Sequence, residues 1–248
     1  MLQGKEILVT GGAGFIGSNL VNLLSARNSV TVLDNFSSVD DRYIRHLRDR
    51  IRIVRGGDIT RPEELPVGHF DIIFHLAANS DVRGGGISDP LLDFRVNAMG
   101  TVNVLEAARK CDAAVFCFAS SSTVYGGEAE KIPTPENYGP YMPISSYGAS
   151  KMSGEGFVSA YSHYYGFKGL IFRFANIVGR NSTHGVIYDF IHKLMKNPRE
   201  LEVLGGDGTQ KKSYMHVDDC TGGPWSTWQR GLQGLRYSTW ATGRSRLS

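Results

Sequence analysis

Cysteine is scarce: three residues in 248 (Cys111, Cys117, Cys220), widely spaced and without a CxxC pair. That excludes a disulfide framework and a thiolate zinc site, and it predicts no metal and a reducing, cytoplasmic setting. Long apolar runs are missing too, with nothing near the roughly 18 residues of a membrane-crossing helix. The start, Met1 to Glu6, is short and polar, so the sequence predicts no membrane partner. Acid is absent from the 27 residues Gly222 to Ser248, which hold Arg230, Arg236, Arg244 and Arg246. Without those arginines the chain carries 23 basic against 24 acidic residues, so the net charge of +3 belongs to the tail. No Lys/Arg stripe with interleaved aromatics occurs elsewhere, which argues against a nucleic-acid face.

Glycine, by contrast, is abundant: 30 residues, about 12% against an average near 7%, with no collagen period. Short β-branched runs alternate with amphipathic stretches. Ile7–Thr10, Val30–Leu33, Ile51–Val54, Ile72–His75, Ala114–Ala119 and Leu170–Phe174 read as strands, the first five apolar enough to be buried on both faces. Leu91, Ala98, Val102 and Leu105 predict one stripe of a helix long enough to cross a parallel sheet. The pattern is α/β, a doubly wound parallel sheet of Rossmann type. From about Asn176 it loosens into Gly/Asn/Ser-rich loops around a helix, Ile187–Lys196, ended by Asn197-Pro198. The expected division is therefore 1–175, a dinucleotide-binding domain with the catalytic residues, 176–221, a partial substrate domain, and 222–248, an anomalous tail.

Gly11, Gly14 and Gly17 have GxxGxxG spacing where the first strand should turn into the first helix. Such glycines permit a tight turn, backbone approach to a pyrophosphate and close helix packing, while the N–H groups of Phe15 and Ile16 at the helix start attract the anion. Asp34 closes the second strand 17 residues beyond Gly17, the place from which a carboxylate accepts from ribose hydroxyls and repels a 2′-phosphate. No Lys or Arg follows within Asn35–Val39, so NAD is expected rather than NADP. Asp58-Ile59 after the third strand and Ala77-Ala78-Asn79 after the fourth are further candidate cofactor contacts.

Tyr147 and Lys151 stand four residues apart, on one face of a helix. Bringing a phenol from pKa near 10 to about 7 takes roughly 4 kcal/mol. One cation at about 4 Å, at an effective dielectric near 20, supplies about that much, so Lys151 is expected to suffice, with a bound nicotinamide adding to it. The preceding strand ends in Ser120-Ser121-Ser122-Thr123 at the carboxyl edge of the sheet, where a hydroxyl can shuttle a proton to tyrosine.

With TGGAGFIG at 10–17, Asp34-Asn35, Asp58, LAAN at 76–79, SSSTVYG at 120–126, YGASK at 147–151, RFAN at 173–176, HGVIYDF at 184–190 and KSY at 212–214, the chain resembles the extended short-chain dehydrogenase/reductase family. Within that family it is most similar to the UDP-glucose 4-epimerase branch, particularly its archaeal-type members. The resemblance implies Ser121 as catalytic hydroxyl, Tyr147 as base and acid, Lys151 as the residue that binds ribose and tunes Tyr147, and Asn176 and Lys212 as contacts of the substrate diphosphate. It further implies a UDP-hexose substrate, inversion at C4 through a 4-keto intermediate, and a homodimer where the fold is complete, with helices beside 88–110 and 146–166 forming the face. Related 4,6-dehydratases carry an Asp-Glu pair where this chain has Ser122 and Thr123. A nucleotide-sugar oxidoreductase and an inactive NAD-binding module are the alternatives. No motif separates glucose from N-acetylglucosamine, and Arg83-Gly84-Gly85-Gly86 departs from the polar loop of relatives.

Relatives continue further past Cys220, opening a helix at Asp218-Asp219 that Gly222-Gly223-Pro224 would break here. All three tryptophans (Trp225, Trp228, Trp240) fall in the tail. Neither helical nor strand period is visible there. The segment reads as a shifted or truncated frame, or as a divergent extension with a Trp/Arg surface, and loss of the substrate lobe would expose apolar surface.

Overall fold

The computed structural model describes residues 2–80, 88–89, 91–127, 131, 134–203 and 212–222, and the backbone of 237–241. The loop at 83–86, Gly223-Pro224, Trp225 and Trp228 lie outside the described residues.

Six parallel strands stand in the order β3-β2-β1-β4-β5-β6: β1 Glu6–Thr10, β2 Ser29–Asp34, β3 Ile51–Arg55, β4 Ile72–His75, β5 Val115–Ser121 and β6 Lys168–Phe174. Each coincides with a run read from the sequence. Alternation along the strands splits the core in two. Ile7 and Val9 of β1 join Leu20 and Val21 of α1 (Phe15–Leu24) on one face. Leu8 joins Val104 and Leu105 of α2 (Gly100–Lys110) and Val158 of α3 (Ser146–Tyr165) on the other. The strand order reverses beside β1, between β2 and β4, and the crevice at the carboxyl ends there is where doubly wound folds take ligands.

Two expectations are corrected. Strand β3 is not buried on both faces: it is an edge strand whose Arg52 and Arg55 are exposed, since only β2 flanks it. The predicted helical stripe also breaks, because Ala98 and Leu105 are buried while Leu91 is 59% exposed. A π-helical turn at Phe94–Met99 precedes α2. Its wider turn changes the phase between Leu91 and α2, and turns Asp93, Asn97 and Thr101 inward instead.

Beyond β6, β7 (Asn176–Val178) pairs in parallel with β8 (Tyr214–His216), with α4 (Val186–Lys196) between them in sequence. Helix α4 buries none of its residues, and Val186, Ile187, Ile191, Leu194 and Met195 are exposed. Residues 217–222 are helical and pack Val217 and Cys220 inward. The tail, which shows no strand period in sequence, contributes β9 (Tyr237–Ala241), parallel to β6 with Tyr237 opposite Gly169. Backbone pairing to an open sheet edge requires no side-chain alternation.

Candidate functional site

The candidate cofactor residues gather at the carboxyl ends of β1, β2, β3 and β4. Gly11 takes φ +69° and presses against the chain after β4, where a Cβ would stand 2.6 Å from Ala77 N. A Cβ at Gly17 would lie 2.1 Å from Gly11 O, so α1 can sit this close to the turn only without a side chain. Gly14 differs, because a Cβ there would meet only Gly11 O, at 3.4 Å. The protein's own packing leaves that side open. Gly14 is also the N-cap of α1, with no side-chain cap and no acid in the first turn. The Phe15 and Ile16 N–H groups, without intrahelical acceptors, thus face a glycine-lined opening suited to a diphosphate.

Asp34 accepts from Ala13 N at 2.9 Å and Phe36 N at 2.8 Å, which leaves lone pairs for ribose hydroxyls. Burial raises its pKa against the pull of those two bonds. Arg55 stands in register beside Asp34, a cation outside the stretch Asn35–Val39. Its charge is engaged by Asp41, and its guanidinium lies 5.3 Å from the Phe36 ring centroid. Asn35 accepts from Ser37 N at 3.1 Å, and Asp58 from Thr60 N at 2.8 Å, each within its own turn. Ile59 is buried against Gly100. Ala77 N donates to Thr10 Oγ1 at 3.3 Å, with Ala78 next along the same loop.

Ser121, Tyr147 and Lys151 come together where β5 ends against the first turns of α3. Ser145 caps that helix, accepting from Gly148 N at 3.0 Å. Ser121 Oγ accepts from Thr123 N at 3.2 Å and Thr123 Oγ1 at 3.0 Å, which leaves its own hydrogen for the Tyr147 phenol. Lys151, 3% exposed, donates to Ala119 O at 2.9 Å, and its Nζ lies 5.7 Å from the Tyr147 ring centroid. The expectation that Lys151 alone activates the phenol is corrected. Burial pushes Tyr147 up to about 12, against the lowering hydrogen bond from Ser121, with the negative charge of Asp93 adding to the rise. Desolvation meanwhile brings Lys151 down to about 8, with Asp93 opposing. Withdrawal from water outweighs one ammonium that is already spent on a carbonyl.

Asn176 and Lys212 are also brought together. Asn176 Nδ2 donates to Ser213 O at 3.0 Å, and Lys212, the residue before, is exposed. Since β5 and β6 pair Ser121 with Phe174, Asn176 emerges two residues beyond the partner of Ser121. Among the described residues no group of three His, Cys, Asp or Glu is arranged for a metal, and no helix is long and apolar enough to cross a membrane.

Sequence reasoning missed a buried polar framework behind this site. His75 bridges Thr10 Oγ1 at 2.7 Å and Thr101 Oγ1 at 3.0 Å, tying the glycine turn to α2. Arg173 grips Glu155 through two bonds of 2.8 and 2.6 Å, and Ser120 donates to the same carboxylate at 2.5 Å. Glu155 was findable, standing one helical step beyond Lys151 as Lys151 stands beyond Tyr147. His75 carries a pH prediction. Burial, and then the charge of Lys151, hold its pKa down to about 3. Its stabilisation is complete above the unfolded value near 6.5 and is lost as pH falls toward 3, at up to ~1.4 kcal/mol per pH unit. Urea midpoints measured from pH 7 to 4 should fall more steeply for the natural protein than for His75→Gln, and equal slopes would contradict this account.

The profile of the NAD dependent epimerase/dehydratase family matches residues 7–237. A UDP-glucose 4-epimerase of Mycolicibacterium smegmatis is 33% identical over 238 residues, spanning 90% of this chain and 75% of the relative. Among solved structures, a UDP-galactose 4-epimerase superposes with a TM-score of 0.82 at 39% identity, over 96% of this chain and 77% of that one. A Thermus thermophilus UDP-glucose 4-epimerase in complex with NAD gives 0.80 at 31% identity, over 96% and 77%.

Proposed function

Because the chain belongs to the NAD dependent epimerase/dehydratase family, we propose that it inverts C4 of a UDP-hexose of the UDP-glucose/UDP-galactose type through a transient 4-keto intermediate. The observation that carries this reading is the junction of Ser121, Tyr147 and Lys151 at the same sheet edge as the glycine turn. The glycine opening, with the bare N-terminus of α1 and Asp34 beside it, fits a dinucleotide diphosphate and ribose. Held there, NAD would supply reversible hydride acceptance at the sugar carbon and a positive charge that favours the phenolate.

Tyr147 removes the proton from the sugar 4-hydroxyl, with Ser121 relaying it, and the same phenol later returns a proton to O4. Lys151 binds ribose and lends its charge to the phenolate. Gly11, Gly14, Phe15, Ile16 and Gly17 hold the diphosphate, Asp34 and Asn35 the adenosine ribose, and Asp58, Ile59, Ala77 and Ala78 the rest of that half. Asn176 and Lys212 grip the substrate diphosphate while the ring turns, Lys212 acting as a point charge. Dehydration calls for an added acid and base just after Ser121. Ser122 and Thr123 supply neither, and the Thr123 hydroxyl is donated to Ser121. Exposed Leu91, Phe94, Met99 and Phe157 on the helices around 88–110 and 146–166 support a homodimer through that face. Three buried free thiols suit a cytoplasmic enzyme.

Purified protein given UDP-galactose deuterated at C4, with no added cofactor, is expected to form UDP-glucose with the deuterium still at C4. Release of a keto-sugar with reduced nicotinamide would establish an oxidoreductase instead, and no conversion would refute the reading. UDP-N-acetylglucosamine and UDP-glucuronate in parallel identify the sugar.

A further inference from the structure

Behind Tyr147 and Lys151 lies a carboxylate that no motif points to. Asp93 is 1% exposed and sits at the start of the π-helical turn, a geometry that recurs at functional sites. One oxygen accepts from Ser146 Oγ at 2.6 Å; the other accepts from Asn79 Nδ2 at 2.9 Å and Asn97 Nδ2 at 3.3 Å. Asn97 Nδ2 in turn lies 3.1 Å from Ser150 Oγ. Ser146 and Ser150 immediately precede Tyr147 and Lys151, so this cluster braces both reacting residues through the positions before them. Among the described residues Asp93 makes no salt bridge. Hydrogen bonds satisfy its oxygens, and a carboxylate enclosed in this way acts over several ångströms, because the surrounding dielectric is low.

Resting on the assignment of Tyr147 and Lys151 above, we propose that Asp93 is a positioning residue and the long-range counter-charge of Lys151, keeping the buried ammonium protonated and holding the phenol in its neutral form until the site is filled. Its charge opposes the loss of the Lys151 proton and the loss of the Tyr147 proton alike. The remaining groups around the pair do not duplicate it. His75, from β4, is held neutral by burial. Arg95, on the π-helical turn itself, is exposed and pairs with Asp89. From β5 come the Ser121 hydroxyl and the Phe118 ring, while Glu155 and Arg173 engage one another one turn further along.

Asp93→Asn keeps an acceptor for Asn79 and Asn97 and removes the charge. The Lys151 titration, read by NMR of protein carrying [ε-13C]lysine and assigned by its loss in Lys151→Met, should move about one pH unit lower in Asp93→Asn. Both limbs of the kcat profile should move the same way. Ser146→Ala removes a contact of Asp93 and leaves its charge, so it should not lower the titration. If Asp93→Asn fails to fold, the smaller Asp93→Ser takes its place with the same expectation. A Lys151 midpoint unmoved within about 0.3 unit, or an equal fall in Ser146→Ala, overturns the proposal. The lysine titration needs no turnover, so a wild-type protein inactive on every UDP-hexose would refute the functional reading and leave this test standing.

Discussion

Tyr147→Phe is expected to lower kcat by about three orders of magnitude, within the range of ~10²–10⁴ for loss of a positioned acid or base, while the dinucleotide stays bound. The substitution removes one oxygen and leaves the ring, so α3 keeps its seat and Lys151 keeps its bond to Ala119 O. On the proposed mechanism, what disappears is the acceptor for the sugar hydroxyl proton and the donor that restores it. Because burial holds this phenol up to about 12, the natural enzyme without cofactor should show no tyrosinate absorption near neutrality. Loading with NAD should bring the ionisation down, seen as an absorbance change near ~295 nm that Tyr147→Phe lacks. Turnover within tenfold of the natural rate in Tyr147→Phe would remove Tyr147 from the mechanism.

Glu155→Ala is expected to destabilise the fold by about 3–5 kcal/mol, since it strands a guanidinium in the interior. The Arg173 side chain is 4% exposed and that of Glu155 9%. Without the carboxylate, the partners left to Arg173 among the described residues are the Tyr125 hydroxyl at 3.1 Å, the Glu136 carbonyl at 2.8 Å and the faces of the Tyr125 and Tyr141 rings. Against a typical total stability of about 5–15 kcal/mol, that loss shows as a large fall in urea midpoint. Replacing both partners, Glu155→Met with Arg173→Met, should recover most of it, because paired removal strands no charge. A single variant losing under ~1 kcal/mol would show that water reaches the pair. Ser120, bonded to the same carboxylate and adjacent to Ser121, links this stability to the proposed catalytic edge.

Legibility followed the range of the physics. Strands β1 to β6 were readable because each lies in one short β-branched run, and the glycine turn because its constraint is met by residues three apart. Tyr147 and Lys151 were readable because helical spacing alone places them together. The stripe through Leu91 failed because a π turn is a backbone event with no side-chain signature. The activation of Tyr147 was misjudged because spacing gives the distance between two groups and says nothing of the water withdrawn from both. The tail strand was missed for a related reason: pairing at an edge depends on which edge is open.

By itself the sequence determined the parallel sheet, the glycine turn with Asp34 beyond it, and the shared helical face of Tyr147 and Lys151, since local periodicity and backbone freedom decide these within a few residues. Only the tertiary structure decided that His75 is neutral, that Arg55 stands beside Asp34 with its charge already engaged, and that Asp93, Glu155 and Arg173 lie buried around the site. Those outcomes depend on desolvation and on partners distant along the chain, which exist only once the sheet and its helices have closed over them.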